Sequence, residues 1–349
     1  MIIWFWACTT QENTSESPAY TRNAIVMSSV AFDYSVGALA HFELETNTLT
    51  ENIASVSGDP VVIYDEGFIW QLNRYQHDTL RKYTPEELHT PQKEVSVAAT
   101  IGSSNPHDVE VCAENLFVSL YGLSTLSIRD LQTLKEISSL NLTAYADEDG
   151  IPEMSSLVEW DGTLFVGLQR LDRNNGFEAR TSTILQIDCS THNILSEWNV
   201  GSNITLFHNE DAVYAITQQY EDRSAGILSF TENEWTPIFE AEEAISYAGI
   251  QKNRLVYVSL ATDMSAYQFH CVDLETTEAI SSEPIREFIT DLWLENEQTA
   301  WFGTHWGWMD PSHTQPGLWM LDTQTCSPIT QWEMEFAPFS MAFVPQKEE

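Results

Sequence analysis

Basic residues are what this sequence has least of. Lys and Arg total 15 against 52 Asp and Glu in 349 residues, a net charge of −37. Such a field repels phosphate backbones, so nucleic acid is excluded as a partner class. The plain reading of the acidity is a solvated coat suited to a saline or extracellular setting, and the sharper one is a cation-binding surface. Cysteine is also sparse. Beyond Cys8, the residues Cys112, Cys189, Cys271 and Cys326 form no C-x-x-C pair and no zinc spacing, so they are expected to be buried free thiols. No apolar stretch approaches the roughly 18 residues of a membrane-spanning helix. There is no G-x-S-x-G, no local Cys/His signature, no P-loop and no dinucleotide glycine pattern. No motif names a reaction.

Short bursts of β-branched and aromatic residues, punctuated by Asp, Asn, Gly and Thr, fill the chain instead, and point to an all-β fold. Helical periodicity is scarce. One short helix is expected at Thr84 to Leu88, where Thr-Pro-Glu-Glu resembles an N-cap with Pro in the first turn. The bursts repeat. CAENLFVSL (112–120), DGTLFVGL (161–168), DAVYAIT (211–217), KNRLVYVSL (252–260) and DEGFIWQL (65–72) each join a polar turn to an apolar run. Anchored on the large apolar residue, Ile25, Ile69, Phe117, Phe165, Tyr214, Tyr257 and Trp301 are separated by 44, 48, 48, 49, 43 and 44 residues, by subtraction.

A second landmark follows each anchor, as in IRDLQTL and VDLETTEAI, where Asp130, Asp188, Asp273 and Asp322 are placed to bond a turn backbone and launch the next strand. A third strand precedes each anchor: PVVIYD, PHDVEVC, EMSSLVEW, NITLFHN, ISYAGIQ and FITDLWLE. The seventh copy, PFSMAFVP from Pro338, appears only near the C-terminus. Period and strand count together indicate a seven-bladed β-propeller over residues 24–345, in which the C-terminal strand closes the first blade and removes the open sheet edge. The units resemble YVTN-type β-propeller repeats. NPHDVEVCAENLFVSLYGLSTLSIRDLQTLKEI follows that order, with FVSL in place of YVTN. The resemblance spans about residues 24 to 344 and implies a fold and an exported location, but little chemistry.

In such a fold the leading strands start on one face, together with the loops joining second and third strands. His107 and Asp108 therefore belong at a channel mouth, on opposite sides of a strand if the strand is regular there; the plainer expectation is that they bond neighbouring blades. Two second-to-third-strand loops are long. Residues 168–183 carry Arg170, Asp172, Arg173 and Arg180, and residues 303–317 carry His305, Trp306, Trp308 and His313. Arg and aromatic residues commonly anchor interfaces, so this face is the expected recognition surface. The competing expectation is that the arginines pair with local acids and the tryptophans cover a blade. YADEDGIPE (145–153) offers Asp147, Asp149 and Glu153 as a partial calcium loop around Gly150, or a solvated acidic linker.

At the N-terminus, MIIWFWACTT resembles the end of a bacterial lipoprotein signal with Cys8 as the lipidated residue, its start lying upstream. Residues 1–8 would then be a truncated signal segment, 9–23 a polar tether and 346–349 a tail. The expected protein is a non-catalytic binding or scaffolding propeller, periplasmic or at the cell surface, or else secreted. Its partner would be an envelope protein or small ligand, its membrane contact a lipid anchor alone, and its cofactor none or calcium. The alternative is a metal-dependent lyase or hydrolase in which His107, Glu153 and His305 converge at the channel mouth.

Overall fold

Four-stranded antiparallel sheets account for nearly all of the computed structural model, which describes residues 23–100, 102–218, 224–261, 263–306 and 315–346. In the first sheet Ala24–Val30 lies between Gly37–Glu43 and the C-terminal strand Ala337–Val344, with Met27 opposite Met341 and Ala24 opposite Val344. The last strand of the chain thus completes the sheet begun by the first. Four further sheets begin at Pro60–Asp65, Pro106–Cys112, Ala244–Gln251 and Phe288–Leu294 and proceed outward in chain order. Besides a two-stranded ribbon, Leu171–Asp172 with Glu178–Ala179, the remaining sheet has seven strands, because Ile194–His208 belongs to two units at once: Ser202 and the residues before it pair with Thr181–Asp188, and Ser202 to His208 pair with Val213–Gln218. Divided at Ser202, the sheets form seven units among the described residues, six of four strands and the first with Ser55–Val56 as a short fifth beside Gly37–Glu43. Successive inner strands touch one another except at the fifth and sixth units, where Ala244–Gln251 meets Val213–Gln218 instead, and the strand Ala337–Val344 touches both Pro60–Asp65 and Phe288–Leu294. The ring is closed, the arrangement of a β-propeller.

Burial explains the sequence repeat. The second strand of each unit is covered on both faces by adjacent units, so Asn115–Leu120 and Thr163–Leu168 are buried throughout except at their first residue. Strands buried on both faces have continuous apolar runs rather than alternation. Outer strands such as Glu136–Asn141 are almost wholly exposed and polar. The core consequently lies between units: one cluster runs from Trp70 and Leu72 of the second through Phe117 and Val118 of the third to Leu164 and Val166 of the fourth.

Polar stitches reinforce this packing. Asp130 Oδ1 accepts from the backbone and hydroxyl of Thr133 at 2.7 and 2.6 Å. Asp188, Asp273 and Asp322 accept from the backbone two and three residues ahead in the same manner. The turn role expected of these four aspartates is the one observed.

Two expectations fail. Thr84–Leu88 is a turn with a bridge between Thr84 and Glu87, not a helix. Five residues are too few to repay helix nucleation, and the Glu87 carboxylate accepts from His89 and Thr90 N–H. The four internal cysteines are not free thiols. Cys112 is joined to Cys189 and Cys271 to Cys326, with Cα separations of 5.5 and 5.6 Å. Partners 77 and 55 residues apart meet because each bond links neighbouring units, third to fourth and sixth to seventh.

Candidate functional site

One face of the ring gathers the starts of the inner strands and the second-to-third-strand loops. On six of the seven units the inner strand carries a β-bulge there, at or beside His107, Ser155, Ile204, Ser246, Thr290 and Phe339. A bulge breaks strict alternation and re-aims side chains. His107 and Asp108 accordingly have different surroundings. The His107 ring stacks on Tyr121, with centroids 4.1 Å apart and planes 13° apart, and its Nε2 lies 3.3 Å from Asn105 Nδ2. Burial, with Arg74 and Arg173 nearby, holds the imidazole well below its usual pKa and therefore neutral. Asp108 Oδ2 accepts from Leu157 N–H of the next unit at 2.7 Å and its Oδ1 from Val109 N–H at 2.8 Å. Desolvation outweighs those bonds and lifts its carboxyl to about 7. Asp108 is the inter-blade stitch that the plainer expectation described.

The loop of the fourth unit folds on itself. Leu171–Asp172 pairs with Glu178–Ala179 around a 3₁₀ turn, Arg173–Asn175, which Asp172 caps by accepting from Asn174 N–H at 3.1 Å. Glu153 is fully buried and stands in the left-handed region, φ 47°, at the place in its repeat that Asn105 holds in the third unit, also at positive φ. Asn tolerates that conformation readily and Glu does not. Here two bonds hold it: Leu171 N–H donates to Oε2 at 3.0 Å and Arg173 Nε to Oε1 at 2.9 Å. Arg173 also donates from its backbone to Asp149 at 3.0 Å and from Nη2 to the Tyr121 carbonyl at 2.8 Å. Arg180 Nη2 lies 2.9 Å from Asp172 Oδ2, and Arg170 Nη1 donates to the Thr181 carbonyl at 2.9 Å. Arg173 and Arg180 thus pair with local acids, as the competing expectation had it, whereas among the described residues Arg170 bonds a backbone carbonyl and no acid.

Asp147, Asp149 and Glu153 do come together, with one ligand oxygen of each within 4.8 Å of the others. Burial lifts Glu153 to about 7 against the opposing pull of Leu171 N–H and Arg173, and raises Asp147. The Arg173 guanidinium already supplies positive charge to two of the three, so a cation would compete with it. His107 and His305 do not join this set. Among the described residues no three-ligand group contains a histidine.

His305 belongs to a different feature, an aromatic rim on the first and seventh units. It is 4% exposed and stacks on Tyr34, with centroids 5.0 Å and planes 10° apart; Trp306 meets it edge-on at 5.0 Å and Phe32 lies at 6.5 Å. Phe32 meets Trp306, and Tyr34 meets Phe339, both edge-on. Phe32 and Tyr34 are 52% and 43% exposed. They project from a turn in which Asp33 Oδ1 accepts from Ser35 N–H at 3.0 Å and Tyr34 has φ 57°. Gly58 admits this turn, since a Cβ there would stand 1.6 Å from the Tyr34 carbonyl oxygen. Sequence reasoning named His305 and Trp306 but missed Phe32, Tyr34 and Phe339. Phe-Asp-Tyr-Ser is itself a second-to-third-strand loop, overlooked because it is short. Trp308, His313 and Cys8 lie outside the described residues.

The closed ring of four-stranded sheets places the chain in the β-propeller class. No protein-family model matches the sequence, and no curated protein matches it. By structure it is similar to a putative 6-phosphogluconolactonase from Bacteroides fragilis, with TM-score 0.64 at 11% identity over 94% of this chain and 99% of that one. It is also similar to BamB from Moraxella catarrhalis, 0.54 at 12% identity over 91% and 85% of the two chains. A third similar structure is dihydro-heme d1 dehydrogenase NirN in complex with DHE, 0.56 at 12% identity over 92% and 75%. At such identities the likeness is one of fold, and sites come from the residues.

Proposed function

We propose that this is an exported, non-catalytic binding propeller of the YVTN repeat type, held to a membrane by a lipid on Cys8, and that its partner is an envelope protein docking on the aromatic rim. The observation that carries the reading is the exposure of Phe32 and Tyr34 above His305, which stacks on Tyr34, and Trp306, which meets Phe32 edge-on. Large aromatics at the surface are the residues whose burial contributes most to association. The loop arginines, by contrast, are already engaged. Export is supported by the two inter-blade disulfides, since such bonds persist in oxidising compartments.

A photo-crosslinking side chain placed at Phe32 is expected to yield a discrete covalent adduct in intact cells. The same group at Leu195, an exposed outer-strand residue, is expected to yield none. Equal adducts from both positions, or none from Phe32, would remove the rim as the docking surface.

A further inference from the structure

Four of the six bulged inner strands use one position in the same way, the residue just after the bulge. Asp108 accepts there from Leu157 N–H, Ser156 from Leu206 N–H at 2.8 Å, Asp291 from Met341 N–H at 2.7 Å, and Ser340 from Val62 N–H at 3.2 Å. Each bond ties a unit to the next. The bulge residue itself has a parallel use: Ser155 donates to the Ile204 carbonyl at 3.0 Å and Thr290 to the Pro338 carbonyl at 2.6 Å. Thr205 occupies the first position in the fifth unit and Ser246 the second in the sixth. Among the described residues, neither hydroxyl makes the corresponding bond. Both line the same cleft.

That cleft, about 440 Å³, opens between the fourth, fifth and sixth units, away from the aromatic rim. Its walls are Gln169, Asn203, Thr205, Gln218 and Ser246, with Ala244, Ile245 and Leu260 as the apolar part. Gln169 is held by the Tyr121 hydroxyl, which donates to its Oε1 at 2.8 Å, and by its own bond to the Ile204 carbonyl at 3.2 Å. Gln218 is held at both ends by the backbone of Ile245. Asn203, at φ 47°, is presented in a left-handed kink. Fixed amides thus frame three side chains, Asn203, Thr205 and Ser246, whose hydrogen-bonding groups the fold does not use.

We infer that this cleft is a binding site for a neutral polyhydroxylated ligand, a mono- or disaccharide. Amides and hydroxyls both donate and accept, which matches a ligand whose own hydroxyls do both. Among the described residues no charged one lines the walls, although 67 of the 349 residues are charged, 15 plus 52. A charged ligand would lie there without a counter-charge. The volume is within the range of small-ligand sites, about 300–1,000 Å³, and the apolar wall suits the carbon face of a sugar ring. The inference goes beyond the partner-docking reading and does not depend on the rim.

The test is calorimetric titration of the intact protein with glucose, galactose, mannose, N-acetylglucosamine, maltose and cellobiose, and with glucuronate and glucosamine as charged counterparts. At least one neutral sugar is expected to bind, more tightly than either charged compound. Thr205→Val or Ser246→Ala is expected to weaken that binding about fivefold or more, the loss of one hydrogen bond, with the melting transition unchanged because neither hydroxyl serves the fold. No binding of any neutral sugar up to about 10 mM, equal binding of the charged pair, or unchanged binding in both variants would each overturn the site. A change in melting without a change in binding would also overturn it.

Discussion

Asp108 combines the two things a carboxylate rarely combines, deep burial and no cationic partner. Two backbone N–H bonds favour its ionised form, but desolvation prevails and lifts it to about 7. Asp65 and Asp291, in the same ring of stitches, are lifted to about 6 by the same cause, and Glu110 is raised well above its usual range with Asp65, Asp108 and Glu159 adding repulsion. These folded-state values exceed the unfolded value near 3.9, so the native state holds more protons than the unfolded state between them. Stability from this source is complete below the unfolded pKa and is lost as pH rises through the folded values. Histidines that burial holds below their usual pKa, His41, His107, His270 and His305, act the other way below the free value of about 6.5, so melting temperature is expected to fall above that point, up to about pH 8. Asp108→Asn should flatten that slope, measured by calorimetry across the range; a slope unchanged by the substitution would show that Asp108 does not titrate there.

Disulfides act here on pairs of elements. Cys112, on an inner strand, is tied to Cys189 after a third strand, and Cys271, on a third strand, to Cys326 in the next unit's outer turn. Each closes a long loop, and in the chain-entropy account such a loop stabilises by restricting the unfolded state. Replacing Cys271 and Cys326 together by Ser is expected to destabilise by about 2–5 kcal/mol, read from the denaturant midpoint. Because the cross-link joins two units rather than two strands of one, its loss should also broaden the transition.

The ring closes through one strand. Ala337–Val344 pairs along the full length of Ala24–Val30 and bonds forward to the second unit through Ser340. Without it the first sheet would have an unpaired apolar edge at Ile25 and Met27, both buried in the intact ring, and such an edge is a template for aggregation. Ending the chain at Phe336, just before this strand, is expected to abolish cooperative unfolding and to produce oligomers in size-exclusion chromatography. A monomer with a single sharp transition would show that the other units hold the ring by themselves.

The sequence by itself determined the all-β architecture, the period and the displaced closing strand, because a second strand buried on both faces must be continuously apolar at every repeat. The aspartate turns were equally legible, since their bonds span only two or three residues. Tertiary structure alone decided which cysteines meet, because partners 77 and 55 residues apart are adjacent only once neighbouring units stack. It alone decided that Arg173 neutralises Glu153 rather than facing a ligand. It decided, too, that among the described residues Thr205 and Ser246 lack the inter-unit bond their counterparts make. Whether a hydroxyl reaches the next unit depends on where a bulge turns the strand, and that geometry leaves no trace in residue identity.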